Sequence, residues 1–210
     1  MRQIVPARNL SRREVEHRFD LQQVYDEAFF SEAQLQPMEL KQDDQMLLDR
    51  AKADFLYLAK DHLHEEIIKL VVLSPLLSAA GFYRQPFRPV AERQVELEFA
   101  DDDPILRGRL DILVLNERLW VTVIEAKSSR FNVLEAIPQT LFYMLASPSQ
   151  PSPLFGLATN GSDFLFLKLV QGEQPQYGFS RLFSLLNPGN DLYQVSTILQ
   201  QLGQRVAVAV

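Results

Sequence analysis

The spacing of apolar residues predicts helices in the first part of the chain and strands with intervening helices in the rest. Residues 11–60 read as polar and helical. Ser11 followed by Glu14 has the spacing of a capping box, and Val15, Phe19, Val24, Tyr25 and Phe29 form a loose apolar stripe. Pro37 marks a break, and a second helix is expected over 40–58 with Met46, Leu47, Ala51, Phe55 and Leu58 on one side. Residues 62–80 read as one long helix. Its apolar face carries Ile68, Val71, Val72, Leu76 and Leu77; Pro75 kinks or divides it, and Gly81 stops it.

Strand patterns follow. Residues 94–99 alternate polar and apolar, as a half-exposed strand does, and Asp101 to Pro104 read as a solvated turn. Two aliphatic and β-branched runs, 107–115 and 119–127, flank a short polar connector near Glu117 and predict an antiparallel hairpin. A helix is expected over 133–146, with Pro138 in its first turn or at a kink. Strands over 154–159 and 164–170 meet at Asn160-Gly161, a hairpin signal. A last strand is expected within 177–186. Asn187-Pro188 then reads as the start of a C-terminal helix whose stripe is Leu192, Val195, Ile198, Leu199 and Leu202.

Three charges break the apolar pattern of the central hairpin: Asp111, Glu125 and Lys127. A charge in a core-forming strand is costly unless it is paired or binds a metal. Glu125 and Lys127 are two apart and share a strand face, whereas Ala126 points away. A tight turn near Glu117 brings Asp111 close to Glu125, so two carboxylates and an ammonium converge on one sheet edge. Two hard oxygen ligands suit Mg²⁺. The chemistry this fits is phosphodiester hydrolysis, with Lys127 orienting or deprotonating the attacking water. The plain alternative is a surface hairpin whose charges are solvated.

Composition bounds the rest. The chain has 210 residues, 47% hydrophobic and 23% charged, enough for one domain of ordinary size. It has no cysteine, hence neither a disulfide framework nor a zinc-thiolate site. No apolar run is long enough to span a membrane and the N-terminus lacks the apolar core of a secretory signal, so the expected location is cytoplasmic. A net charge of -6 argues mildly against indiscriminate DNA binding. Basic residues are nevertheless concentrated at Arg84, Arg88, Arg93, Arg107 and Arg109 before the hairpin, as a phosphate-binding rim or as a solvated face balanced by neighbouring acids. His62 and His64 read as exposed helix residues, because hard cations prefer oxygen.

Leu110-Asp111 followed by Ile124-Glu125-Ala126-Lys127 resembles the core motif of the PD-(D/E)XK nuclease superfamily, with Leu110 in place of the motif's proline. More closely, the chain resembles the N-terminal nuclease domain of the restriction (R) subunits of type I restriction enzymes. The matching pieces, in the family's order, are residues 64–69, Ser74-Pro75-Leu76-Leu77, Gly81-Phe82, Asp111, Glu125-Ala126-Lys127, Gln139 with Tyr143, and residues 158–161.

The resemblance implies a three-layer, restriction-endonuclease-like α/β fold. A mixed central sheet is flanked by helices over 61–210, and 1–60 is a helical extension packed on that core. It implies Mg²⁺-dependent DNA endonuclease activity, with Mn²⁺ able to substitute. Asp111, Glu125 and the Ala126 carbonyl would be metal ligands, Glu65 (favoured over Glu66) a third carboxylate, and Lys127 the catalytic lysine. In RecB-like nucleases the equivalent Gln and Tyr pair lines the site, so Gln139 would bind a phosphate or hold Lys127, and Tyr143 would brace DNA. On the residues alone, Tyr143 equally well packs beside Leu141 and Leu145. No Walker loop is present, so the chain is expected to be either a free-standing nuclease-like protein or one that works with a separate motor or specificity partner. Cutting both strands calls for two active sites, which makes a homodimer an expectation from the chemistry. The rival expectation is an inactive nucleic-acid-binding or scaffold protein that keeps the fold. A carbohydrate or small-molecule enzyme is disfavoured, because the single Trp120 sits on a core strand.

Overall fold

The computed structural model describes residues 4–6, 9–34, 39–61, 63–87, 90–91, 94–97, 105–109, 112–116, 119–123, 132–146 and 153–208. Strands β1 (Ile4–Pro6), β3 (Val90–Ala91), β4 (Gln94–Leu97), β5 (Ile105–Arg109), β6 (Ile112–Asn116) and β7 (Leu119–Val123) are described by their backbone.

Two sheets form. A three-stranded sheet has the order β1-β5-β4. An eight-stranded sheet has the order β2-β10-β9-β8-β7-β6-β3, with β11 (Phe183–Ser184) also on β9 (Asp163–Val170). Its other strands are β2 (Gln22–Gln23), β8 (Leu154–Thr159) and β10 (Gln176–Phe179). β7 pairs β8 in parallel, β10 pairs β2 in parallel, and the remaining ladders are antiparallel, so the sheet is mixed.

Alternation along β8 and β9 separates two cores. Phe155 and Leu157, with Phe164 and Phe166, face α2 (Gln42–Leu58), the 65–79 helix and α6 (Leu192–Val208). Leu154 and Ala158, with Leu165, Leu167 and Leu169, face α1 (Arg12–Phe19) and α5 (Ile137–Leu145). Both strands are mostly apolar, β8 from Leu154 to Ala158 and β9 from Phe164 to Leu167, because both sheet faces are covered there. The result is three layers, helix on sheet on helix.

The local chemistry explains each helix. Ser11 Oγ accepts from the Glu14 N–H while the Glu14 carboxylate accepts from the Ser11 N–H at 2.7 Å, the reciprocal cap expected for α1. α1 ends at Asp20, a left-handed residue with φ 50°. The expected stripe therefore stops at Phe19. Val24 follows strand β2, and Tyr25 is 82% exposed. α2 buries Leu48, Ala51 and Phe55, and Met46 is 64% exposed, so Leu48 occupies the core position assigned to Met46. Pro37 lies outside the described residues.

The 65–79 helix is continuous but not uniform: α3 (Glu65–Ile68), a π turn (Lys69–Leu73) and α4 (Ser74–Ala79). Pro75 has no N–H and its ring crowds the carbonyl four residues back. Widening the preceding turn, with Ser74 N–H on the Lys69 carbonyl, relieves this conflict and lets the helix continue. Gly81 stops it at φ +83°. The Phe82 N–H reaches the Leu77 carbonyl and the Gly81 N–H the Ser78 carbonyl, a Schellman closure. At the other end, Asn187-Pro188 does not start α6. The helix begins at Leu192, whose N–H is accepted by the Asn190 side chain at 3.1 Å, after a turn with Gly189 at φ +78°. Its five expected stripe residues are all buried.

The N-terminal 60 residues are built into both sheets and both cores rather than added as helices alone. β1 lies on β5, β2 forms the edge of the large sheet, and α2 packs on α4 and α6. A 3₁₀ segment, Glu27–Gln34, carries Phe30 and Glu32 inward. There the Lys168 ammonium donates to both Glu32 oxygens at 2.8 and 2.9 Å and to the Phe29 carbonyl at 2.9 Å. The Asp49 carboxylate of α2 accepts from the Tyr193 hydroxyl and the Asn190 amide, which holds it below the usual carboxylate range. Donating that bond pushes the Tyr193 hydroxyl up to about 12.

Gly178 on β10 sits against the same 3₁₀ segment. A Cβ there would lie 2.6 Å from Phe29 Cδ1. Gly178→Ala is expected to destabilise the fold by about 1–3 kcal/mol, read as a lower urea midpoint at unchanged m-value.

Candidate functional site

The expected hairpin forms in part. β6 and β7 are antiparallel, with Asn116 opposite Leu119 across a two-residue connection and Ile112 opposite Val121. The register shifts between these pairs, because residues 113–115 of β6 are matched by Trp120 alone. The first expected strand, 107–115, is divided. Residues 105–109 form β5 in the smaller sheet and 112–116 form β6 in the larger. Arg107 lies opposite Glu96 and Pro6, and Arg109 opposite Gln94. Asp111, Glu125, Ala126 and Lys127 lie outside the described residues.

What the backbone does fix is the frame around them. β7 ends at Val123, paired with Thr159 at the end of β8. These two strands are parallel, so the connection between them must cross back over the sheet. That crossover contains a 3₁₀ turn, Val133–Ala136, capped by the Asn132 side chain, and then α5 with Pro138 in its first turn. α5 packs on both strands. It lies so close to β8 that a Cβ on Gly156 would meet Thr140 Cγ2 at 2.7 Å and Met144 Sδ at 2.9 Å. Helix α5 therefore starts near the C-terminal ends of β7 and β8. Such ends are where open α/β sheets present their ligand sites.

The turn after β8 closes the frame on a second side. Asn160 Oδ1 accepts from the N–H groups of Ser162 and Asp163, and Thr159 Oγ1 accepts from the Gly161 N–H at 3.0 Å. Gly161, at φ +92°, lies against Ile68: a Cβ there would fall 2.8 Å from Ile68 Cγ2. Residues 159–161 are thus turn chemistry, as their types indicate, and the turn rests on the last residue of α3. Glu65 is the first residue of α3. His64 is exposed and its carbonyl accepts the N–H groups of Ile67 and Ile68.

Gln139 and Tyr143 are brought together as their spacing predicts. Gln139 Nε2 donates to the Tyr143 hydroxyl oxygen at 2.7 Å. Tyr143 is fully buried, in edge-to-face contact with Phe142 at 5.6 Å and among Leu141, Ala158 and Leu165. A ring buried in this way favours the packing role of Tyr143 over the bracing one. In this fold Tyr143 packs in the core and holds the Gln139 side chain. Only tertiary burial distinguishes these roles, since helical spacing is the same for both.

Among the described residues no group of three or more His, Cys, Asp or Glu side chains is placed to hold a metal. Among them no helix is long and apolar enough to cross a membrane. The donor set expected for a divalent ion, two carboxylates and a backbone carbonyl from 111 and 125–126 with Glu65 beside them, is all hard oxygen, which fits Mg²⁺ in kind. No family model matches this chain, and no curated protein matches it either.

Proposed function

We propose that this chain is an Mg²⁺-dependent endodeoxyribonuclease of restriction-endonuclease-like fold, similar to the nuclease domain of type I restriction enzymes but without the motor. The observation that carries the reading is the convergence just described. Three elements border the parallel β7–β8 pair: α3, which begins with Glu65 and touches the turn after β8 through Ile68; β7 itself, which in sequence leads toward Glu125-Ala126-Lys127; and α5, whose first turn carries Gln139 and which packs on the other face.

In this reading Asp111, Glu125 and the Ala126 carbonyl would hold the cation, with Glu65 as a further carboxylate. When bound, the ion would supply positive charge and Lewis acidity. Lys127 orients the attacking water and adds charge where the pentavalent phosphorus centre develops. Gln139, steadied through Nε2 by Tyr143, keeps its Oε1 to position Lys127 or a phosphate-bound water. Arg107 and Arg109 lie on a neighbouring sheet, from which they serve as phosphate contacts rather than as part of the catalytic ribbon. The partner is DNA. A homodimer or a separate motor or specificity subunit would supply what one site lacks.

The test is nicking of supercoiled plasmid with Mg²⁺ or Mn²⁺ by the parent, Asp111→Ala and Lys127→Ala. Cleavage by the parent alone supports the enzyme. Equal cleavage by all three means a contaminant, and DNA retention without cleavage by the parent supports an inactive binder. Tyr143→Phe separates packing from positioning. Losing one hydroxyl is expected to change stability by about 1 kcal/mol. Cleavage should fall further, about ten-fold, as the freed Gln139 leaves its productive geometry.

A further inference from the structure

The cleft that the described side chains enclose lies elsewhere, at the C-terminal ends of the other parallel pair, β2 and β10. It has a volume of about 600 Å³, within the range of small-molecule sites. Its floor is apolar: Phe30, Phe183 and Ile198 are each at most 3% exposed. Its two lips differ in charge. Arg181, just past β10, is the one cation among the described lining residues, and Asp26 and Glu27 stand where the chain leaves β2 for the 3₁₀ segment.

Arg181 is held ready for an anion. Its guanidinium lies 4.3 Å above the Phe183 ring, and Nη2 donates to Gln194 Oε1 of α6. Stacking and one neutral hydrogen bond fix the plane of the fork, yet among the described residues no carboxylate pairs with it. A guanidinium has five N–H donors, so most of the fork is left for a ligand. Asp26 also lines the cleft; its Oδ1 accepts from the Ala28 N–H at 2.8 Å, which leaves Oδ2 for a donor. The backbone behind each lip is rigid: Val24 N–H bonds the Tyr177 carbonyl, and Ser180 N–H the Phe166 carbonyl. Tyr25, 82% exposed, stands at the mouth. A simple anion fits this cleft poorly, because it would leave the Asp26 carboxylate without a counter-charge. A ligand with both charges and an apolar body satisfies every wall.

We propose that the cleft between β2, β10 and α6 binds a small zwitterion of the amino-acid or dipeptide class with an apolar side chain. The carboxylate lies on the Arg181 fork, the ammonium faces Asp26, and the side chain lies on the floor of Phe30, Phe183 and Ile198. The site is independent of the nuclease reading.

The test is titration of ¹⁵N-labelled full-length protein, following the Arg181 Nε–Hε signal, with L-phenylalanine, phenylacetate, phenethylamine and L-alanine as probes. L-Phenylalanine is expected to shift that signal saturably. Each analogue lacking one charge or the apolar body should bind at least about ten-fold more weakly, the equivalent of about 1.4 kcal/mol. Arg181→Gln and Asp26→Asn should each lose about as much when L-phenylalanine binding is followed by backbone amide shifts. Equal affinity for phenylacetate and L-phenylalanine would overturn the zwitterion assignment. Absence of any shift with L-phenylalanine at millimolar concentration, or unchanged affinity in Arg181→Gln, would overturn the site. The analogue series on the parent protein keeps the test decisive if a variant fails to fold.

Discussion

Lys127→Ala is expected to lower Mg²⁺-dependent plasmid nicking by about 10²–10⁴-fold, the range for removing a group that moves or positions the reacting proton. Asp111→Ala should lose at least as much, because it removes a ligand rather than a neighbour. The two losses should not add. Groups that act as one unit in a transition state are non-additive, and the double variant should fall little below the worse single one. The decisive contrast is with DNA retention in a gel shift, where both variants should stay near the parent in the presence of Ca²⁺. Variants that lost retention and cleavage together would make these residues part of the DNA-binding surface or of the fold, and the hydrolytic assignment would fail.

The second large effect concerns stability. Glu32 and Lys168 are 7% and 13% exposed and bonded at 2.8 and 2.9 Å. Glu32→Ala leaves a nearly buried ammonium with, among the described residues, only the Phe29 carbonyl and the Phe29 ring, 5.4 Å from its nitrogen. Stranding one charge of a buried pair costs about 3–5 kcal/mol. Arg205, 3.8 Å from Glu32 and 52% exposed, contributes little. Urea unfolding should show a much lower midpoint for Glu32→Ala. Glu32→Leu combined with Lys168→Met should recover most of the loss, because two desolvation penalties disappear together. A double variant as unstable as the single one would mean that the pair provides a specific geometry, which apolar packing cannot replace.

The ion pair also shows what the pattern of the sequence hides. Glu32 and Lys168 are 136 residues apart. Nothing local marks Glu32 as buried, and in sequence it belongs to a polar, helical-looking stretch. The misread positions in that stretch have the same cause. Val24 and Tyr25 fit a helical stripe by spacing, but the chain there pairs with β10 at the sheet edge. Met46 and Leu48 are both apolar and two apart, so only the position of α4 and α6 selects Leu48 for the core. Asn187-Pro188 has the chemistry of a helix start, yet α6 begins further on. The Asn187 amide instead bonds Asp191, and Asn190 takes the cap.

The candidate site divides the same way. The Gln139–Tyr143 contact followed from one helical turn, and the 160–161 turn from its residue types. The burial of Tyr143, and hence its holding role, came from α5 lying on β8. The split of 107–115 between two sheets also needed distant strands, since β1 and β4 pair with β5 and not with β6.

By itself, then, the sequence determined what depends on a few neighbouring residues. These are the caps of α1 and of the 65–79 helix, the β6–β7 and β8–β9 hairpins, the apolar stripe of α6, and a mixed α/β class. Hydrogen bonds over three to five residues and side-chain periodicity carry that information. Tertiary structure alone decided which apolar residues are buried, where the N-terminal 60 residues join the sheets, and which charges are matched across the fold. Those outcomes depend on pairings between segments tens of residues apart, and for β2–β10, α2–α6 and Glu32–Lys168 more than a hundred, and no local period records them.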